Sequence, residues 1–346
     1  MSDAPRPPTI YDVARLAGVA PSTVSRAFSR PGRVGAESAA RVHAAAAELG
    51  YRVNPLARST QSGRTGTVGL IVSDVTNPVH FGVIRGVEEA AADAGYTLLL
   101  ADAQESEQIE RTALERLLPG VEGVVLASSR SSDRAVRTVA KQRPVVVLNR
   151  IVPGVRCVTA DTEAGVGSAL AHLRDLGHRA VTYLAGPPAS WADGRRWRAL
   201  MDLGPRFGLK VGRIGSSVPT VSGGLAAAEE VRRQDPTAVL AYNDLLAIGL
   251  MRGLGEAGCR VPEQISVIGF DNIFGADFCT PPLTTVAAPL RAFGSEAFLE
   301  LHRLIRRESL RPDPVLTLPT QLIVRASTAP RRQHTATGGR PRGPEA

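Results

Sequence analysis

The 346-residue sequence predicts a small all-α head followed by an α/β body of two doubly wound, parallel-sheet lobes. Three observations carry that expectation. Residues 9–28 hold two short helical patterns joined at a Gly-containing corner. From Thr67 onward, apolar runs of strand length alternate with helical patterns, in two successive series of about 100 residues each. The charge is uneven: of a net +8, residues 1–65 carry +5 and residues 325–346 carry +4, around a near-neutral middle. The domains expected are a helix-turn-helix over 1–53, a short linking segment over 54–66, a two-lobed body over 67–328, and a disordered basic tail over 329–346.

Composition narrows the function classes. With 43% hydrophobic and 21% charged residues, the chain is neither wholly disordered nor a disulfide-held miniature. No run of about 18 apolar residues suggests a membrane span, and Met1 to Pro8 has no apolar signal core. Three scattered cysteines (Cys157, Cys259, Cys279) suit a reducing cytoplasm and not a Cys-rich zinc site. Basic ends on a neutral body suit a polyanion partner, although solvated tails give the same count.

In the head, Ile10, Val13, Ala14 and Ala17 recur at helical spacing, and Gly18 stops the helix. Pro21 fits the first turn of a second helix, where its missing N–H costs nothing. Val24, Ala27 and Phe28 form that helix's buried stripe, leaving Ser22, Thr23, Ser25 and Arg26 outward. Arg41 to Leu49 supplies a third helix with Val42, Ala45, Ala46 and Leu49 on one face. A polar, basic second helix after a tight turn reads as a helix-turn-helix. A bundle with a solvated face is the plainer alternative.

The runs TIYDVARLAGVAPSTVSRAF and AELGYRVNPLARS resemble the DNA-binding head and hinge of the LacI/GalR family of bacterial transcription regulators. The resemblance implies that the second helix enters the major groove, with Pro21, Ser22 and Arg26 at base-reading positions. Arg26 can give guanine O6/N7 a bidentate contact, Ser22 specifies weakly, and Pro21 offers shape. Thr9, Tyr11, Thr23, Ser25 and Ser38 are implied phosphate contacts, and Arg33 a contact to base or phosphate. In the hinge, Asn54, Leu56, Ala57, Arg58 and Thr60 are implied at the minor groove. Thr60 stands where relatives place a wedging leucine, so either Leu56 takes over part of that role or the DNA is bent less. Ala20 replaces a capping serine, at a cost on the order of 1 kcal/mol.

In the body, Val68–Val72, Thr97–Ala101, Val121–Ala127 and Val145–Leu148 read as strands, separated by helices near 79–94, 107–118 and 132–141. A second series runs through Cys157–Asp161, Val181–Leu184, Ala238–Tyr242 and Ile265–Phe270, with helices near 164–176, 194–207, 223–233 and 245–257. Leu290–Arg307 adds a helix, and Val315–Val324 a returning strand. Such sheets bind ligands beyond the carboxyl ends of their strands, which places a site between the lobes.

The body, through runs such as DVTNPVHFGVIRGVEEAA, AVLAYNDLLAIGLMRGL and ISVIGFDN, resembles the periplasmic-binding-protein-like effector domain of the same family over roughly 67–328. Effector contacts implied at strand ends are Asn149, Asn243 and Asp271, with Arg196 on a following helix. An amide, a guanidinium and a carboxylate together suit vicinal hydroxyls. Trp191 offers a stacking face or simply packs on its lobe. Val79 and His80 begin the cleft-facing helix, with His80 readable as rim or contact. Arg196 reads equally as a surface arginine, Asn149-Arg150 as a turn, and Asp271-Asn272 as an Asx-turn.

No P-loop, Ser elbow or metal-spaced His pair occurs, so neither an enzyme nor a cofactor or metal site is expected. The resemblance implies a cytoplasmic homodimer on a roughly palindromic operator, released by a small polar effector, most readily a sugar. The alternative is a sugar-binding module or an α/β enzyme of sugar metabolism without DNA regulation. The basic head discriminates against both. Residues 331–346 lack the apolar heptads of tetrameric coiled coils.

Overall fold

The computed structural model describes residues 6, 8–29, 32–51, 65–215 and 217–331. Asn54, Leu56, Ala57, Arg58, Thr60 and the tail from 332 lie outside them. The chain divides into two compact units, Met1–Gly66 and Thr67–Ala346.

The first unit holds α1 (Ile10–Ala17), α2 (Pro21–Ser29) and α3 (Ala36–Glu48). At the start of α1, the Asp12 carboxylate accepts from the Thr9 amide at 2.9 Å and the Thr9 hydroxyl at 2.6 Å. The helix stops where Gly18 turns left-handed at φ 64°, a conformation only glycine takes without strain. Val13, Ala14, Ala17, Val24, Ala27, Val42, Ala45 and Ala46 form the core, with Phe28 and Leu49 packed against it. The expected apolar stripes therefore meet. The third helix begins five residues before the expected Arg41, because Gly35 and the run Ala36–Ala40 extend it.

The second unit carries two six-stranded sheets. The first lobe contains β1 (Thr67–Val72), β2 (Thr97–Asp102), β3 (Val124–Ala127), β4 (Val145–Leu148), β5 (Arg156–Ala160) and β11 (Val315–Leu318), in the order β11-β5-β4-β3-β1-β2, all parallel. Its helices include α4 (Val79–Asp93), α5 (Glu107–Leu117), α6 (Asp133–Ala140) and, from far along the chain, α12 (Leu290–Arg306). The second lobe contains β6 (Ala180–Leu184), β7 (Lys210–Ile214), β8 (Ala238–Ala241), β9 (Ser266–Asp271), β10 (Thr284–Ala287) and β12 (Gln321–Ile323), in the order β12-β10-β9-β8-β6-β7. Only β12 runs antiparallel, to β10. Around it lie α7 (Thr162–Asp175), α8 (Trp191–Leu203), α9 (Val221–Gln234), α10 (Asp244–Glu256) and the single turn α11 (Gly275–Phe278).

Three expectations need correction. The sequence pattern places 157–161 in the second series, yet β5 pairs with β4 and β11 in the first sheet. The returning strand over 315–324 is two strands, because Pro319-Thr320 breaks it and each half joins a different sheet. Strands β7 and β10 were not anticipated. The lobes are thus not consecutive, since the chain passes between them after β5, after β10 and after β11.

Each lobe has one helix crossing close enough to exclude side chains. A Cβ on Gly86 of α4 would collide with the Arg291 carbonyl of α12, and one on Gly294 with the Val83 carbonyl. Gly224 and Gly249 make the same reciprocal approach between α9 and α10. Gly86→Ala is expected to cost about 1–3 kcal/mol by overpacking. Thermal unfolding checks this against Gly194→Ala on α8, where a Cβ meets open space. Equal melting temperatures for the two variants would refute the packing argument.

Candidate functional site

The carboxyl ends of the two sheets face a common cleft, lined by Val79, His80, Asn149, Arg196, Asn243 and Asp271 among others. Six of the seven candidate effector contacts are therefore brought together. On the second lobe, β9 ends at Asp271, whose φ of 110° lies where a non-glycine residue is strained. The Arg196 Nη2 group donates to its Oδ1 at 3.0 Å. The same guanidinium donates to the Tyr242 carbonyl, lies 3.7 Å from the Phe270 ring centroid, and has the Tyr242 ring 4.8 Å away. Arg196 is 4% exposed, so it is no surface arginine. Its Nε has no partner among the described residues.

Burial raises the Asp271 carboxyl to about 6, and the Arg196 charge and hydrogen bond oppose that rise. Asn243 lines the cleft, but its amide also holds the scaffold. Its Oδ1 accepts from the Leu246 amide at 2.9 Å, capping α10, and its Nδ2 donates to the Pro219 carbonyl at 3.2 Å.

From the first lobe, His80 projects off the start of α4, 3% exposed, with Nε2 3.2 Å from the Ser73 hydroxyl. Its Nδ1 has no partner among the described residues. Burial lowers its pKa to about 4, against the pull of Asp74, so the ring is neutral near pH 7 and can donate or accept. A depressed folded pKa stabilises the fold above the unfolded value of 6.5 and loses that contribution as pH falls toward 4. His80→Gln is therefore expected to flatten the fall in thermal stability between pH 6.5 and pH 5. A variant as acid-sensitive as the parent would exclude His80 as the cause.

Asn149 sits at φ 58° just after β4, on the cleft wall with Ser128. Trp191 is not with the other six. It occupies a shallow neighbouring depression beside Asn149 and Arg150, with the Arg195 guanidinium 5.6 Å from its ring.

Sequence reasoning missed Ser73, Glu105, Arg130, Tyr242, Phe270 and Phe293, all of which line the same cleft. Arg130 Nε donates to Glu105 Oε2 at 2.6 Å. The first five of the missed residues lie at or just beyond strand ends, where the carboxyl-end rule could have found them. Phe293 comes from α12, which returns from the other lobe.

In the first unit, Ser22 and Arg26 share one exposed face of α2, with Arg26 Nη2 donating to Ser22 Oγ at 3.3 Å. Pro21, Tyr11 and Arg33 are exposed, while Thr9, Thr23, Ser25 and Ser38 are half-buried. Both the hydroxyl and the backbone amide of Thr9 donate to Asp12, so a phosphate contact there would have to compete with the helix cap. Among the described residues, no three His, Cys, Asp or Glu side chains cluster as metal ligands, and no helix is long and apolar enough to cross a membrane.

Comparison with known proteins adds to this geometry. Residues 9–54 match the family model for bacterial regulatory proteins of the lacI family, and residues 170–328 that for a periplasmic binding protein-like domain. The HTH-type transcriptional repressor CytR of Escherichia coli (strain K12) is 32% identical over 328 residues, covering 92% of this chain and 96% of its own. The crystal structure of the Lac repressor dimer bound to operator and the anti-inducer ONPF superposes with a TM-score of 0.85 at 26% identity, covering 94% of this chain and 100% of its own. A complex of the transcriptional regulator CelR with cellobiose has a TM-score of 0.68 at 30% identity, covering 92% of this chain and 99% of its own.

Proposed function

Because the chain belongs to the LacI family of bacterial regulatory proteins, and so is a DNA-binding transcriptional regulator and not an enzyme, we propose that it is a cytoplasmic, dimeric repressor released from its operator by a sugar. The observation that carries the sugar reading is the cleft itself. It joins a carboxylate held by a buried guanidinium, Asp271 with Arg196, to a neutral imidazole, His80, and an amide, Asn149, on the opposite lobe. Donors and acceptors without a dominant charge suit hydroxyl groups, and Phe270, Phe293 and Leu148 supply an apolar wall for a sugar face. The relative bound to cellobiose supports the same class.

Base reading is assigned to Arg26 and Ser22, with Pro21 giving shape, and Arg33 as a further contact. Thr9, Tyr11, Thr23, Ser25 and Ser38 are assigned to phosphates, and residues 54–60 to the minor groove. A ligand bridging the lobes shifts the population toward one lobe arrangement and changes operator affinity only through its different affinity for the two. The dimer is assigned to a face bearing Phe81, Phe274 and Phe278, where the first two rings stack with centroids 6.1 Å apart. The exposed Leu99 and Leu100 of edge strand β2 are assigned to it as well.

The test is operator selection from random duplexes, followed by binding in the presence of ribose, galactose and cellobiose. Sugar-dependent loss of binding is expected. Binding that no sugar alters, together with no thermal shift, would overturn the sugar assignment. Phe278→Asp is expected to shift sedimentation from dimer to monomer; an unchanged dimer would move the interface elsewhere.

A further inference from the structure

Asp244, the first residue of α10, is fully buried yet lies outside the cleft lining. Its carboxyl reaches the loop that follows Asp271. Oδ2 accepts from the Ile273 amide at 2.8 Å, and Oδ1 lies 2.5 Å from the Thr285 hydroxyl. That hydroxyl oxygen in turn accepts from the Asn272 amide at 3.4 Å. The two amides immediately after Asp271 are thus tied, directly or through Thr285, to one side chain. The backbone they hold is the strained stretch, Asp271 at φ 110° and Asn272 at φ 57°. Gly269 makes the space, because a Cβ there would overlap the Asp244 carboxyl.

We infer that Asp244 is a positioning residue of the effector site: it holds the Asp271–Asn272 corner in the conformation that presents the Asp271 carboxylate to the cleft, and does so as the neutral acid. The inference rests on reading Asp271 as an effector contact. A neutral carboxyl completes the contacts without a second buried charge, accepting from Ile273 through one oxygen and meeting the Thr285 hydroxyl at 2.5 Å through the other. The charged groups that face it agree. Burial, and then the charge of Asp271, push Asp244 up to about 8, against the opposing hydrogen bonds of Thr285 and Ile273 and the smaller pull of Arg196. Around the corner stand Cys279, whose thiol is itself pushed up by burial, and Arg325, whose guanidinium donates to Asn272 Oδ1 at 2.9 Å and lies 3.3 Å from Asp277.

Asparagine reproduces the neutral acid, with Oδ1 accepting from Ile273 and Nδ2 donating to Thr285, whereas alanine reproduces neither bond. The sign of the pH effect follows from the raised pKa. Between pH 6.5 and 8 the unfolded chain has released this proton and the folded chain keeps it, so stability falls as pH rises and levels off above 8. Burial also holds His80, His178 and the half-buried His172 below their ordinary value, but their effect is common to the parent and Asp244→Asn.

The experiment uses the full chain and no ligand, so its failure is distinct from failure of the sugar assignment. Melting temperature is followed from pH 6.5 to 8.5 for the parent, Asp244→Asn and Asp244→Ala, with amide exchange of residues 270–276 at pH 7. The parent is expected to lose ~2–4 °C per pH unit more than Asp244→Asn up to pH 8. Asp244→Asn keeps the exchange protection at Asn272 and Ile273, and Asp244→Ala loses it by ~10-fold or more. A role in filling space alone lowers the melting temperature equally at every pH. Parallel pH profiles for the parent and Asp244→Asn, or full protection in Asp244→Ala, would overturn the inference.

Discussion

Asp271→Ala is expected to abolish the response of operator binding to effector and to destabilise the body by about 3–5 kcal/mol. Two effects combine. Asp271 lines the cleft, and on the proposed reading its carboxylate accepts from the ligand's hydroxyls, so a ligand would lose its anchor on the second lobe. The larger cost falls on Arg196, whose side chain is 5% exposed and whose ion-pair partner among the described residues is Asp271, at 3.0 Å. Removing that partner leaves a guanidinium in an apolar cage of Phe270 and Tyr242 with its charge uncompensated. The substitution therefore does more than remove a ligand contact, because Arg196 is buried.

Calorimetry or thermal shift measures the stability loss, and operator titration with and without sugar measures the response. Stability within about 1 kcal/mol of the parent would mean that the pair contributes far less than a buried ion pair broken on one side. A normal response would remove Asp271 from the site. Asp271→Asn, which keeps an acceptor toward Arg196, should lose response with a smaller penalty.

Arg26→Ala carries the second-largest expected effect. One bidentate guanine contact is worth roughly 1–3 kcal/mol of discrimination, and a dimer on two half-sites doubles it to roughly 2–6 kcal/mol. The loss should fall on one base step per half-site while affinity for random DNA falls only slightly, since phosphate contacts remain. The exposed face that Arg26 shares with Ser22 is compatible with this, and the hydrogen bond Arg26 makes there is the local one to Ser22 at 3.3 Å. Competition between operator and single-base variants decides it. A uniform loss across all sequences would make Arg26 a phosphate contact instead.

Much of the head was legible because its determinants are local. Helix periodicity, the Gly18 stop and Pro21 at a helix start each act within four residues, and the apolar stripes they predict are the ones that pack. The start of α3 was read late because its first turn, Ala36 to Ala40, has little apolar periodicity. In the body, Asn149, Asn243 and Asp271 were legible because carboxyl ends of parallel strands converge on a ligand site whatever the chain between them does. Strand β10 was not, because Thr284 and Thr285 show no apolar alternation. Both are fully buried, and their polar groups are satisfied from a distance, the Thr284 amide by Ser327 at 2.8 Å and the Thr285 hydroxyl by Asp244. Strand β7, an edge strand, carries the exposed Lys210 and an Arg213 that pairs with the buried Asp193 at 2.8 Å, so it too lacks apolar alternation.

By itself the sequence determined the kind of protein this is: a basic helical reader followed by alternating strands and helices, with polar residues at strand ends and no catalytic motif. Propensity, capping and periodicity set those features over short stretches of chain. The tertiary structure alone decided which lobe each late segment joins, since β5, α12, β11 and β12 are placed by pairing and packing across up to two hundred residues. It alone brought Arg196 under Asp271, set Phe293 into the cleft wall, left Trp191 beside it, and buried Asp244 behind the strained corner. Burial and partnership are properties of neighbours distant in sequence, and in this cleft they decide which charges survive and which polar groups remain for a ligand.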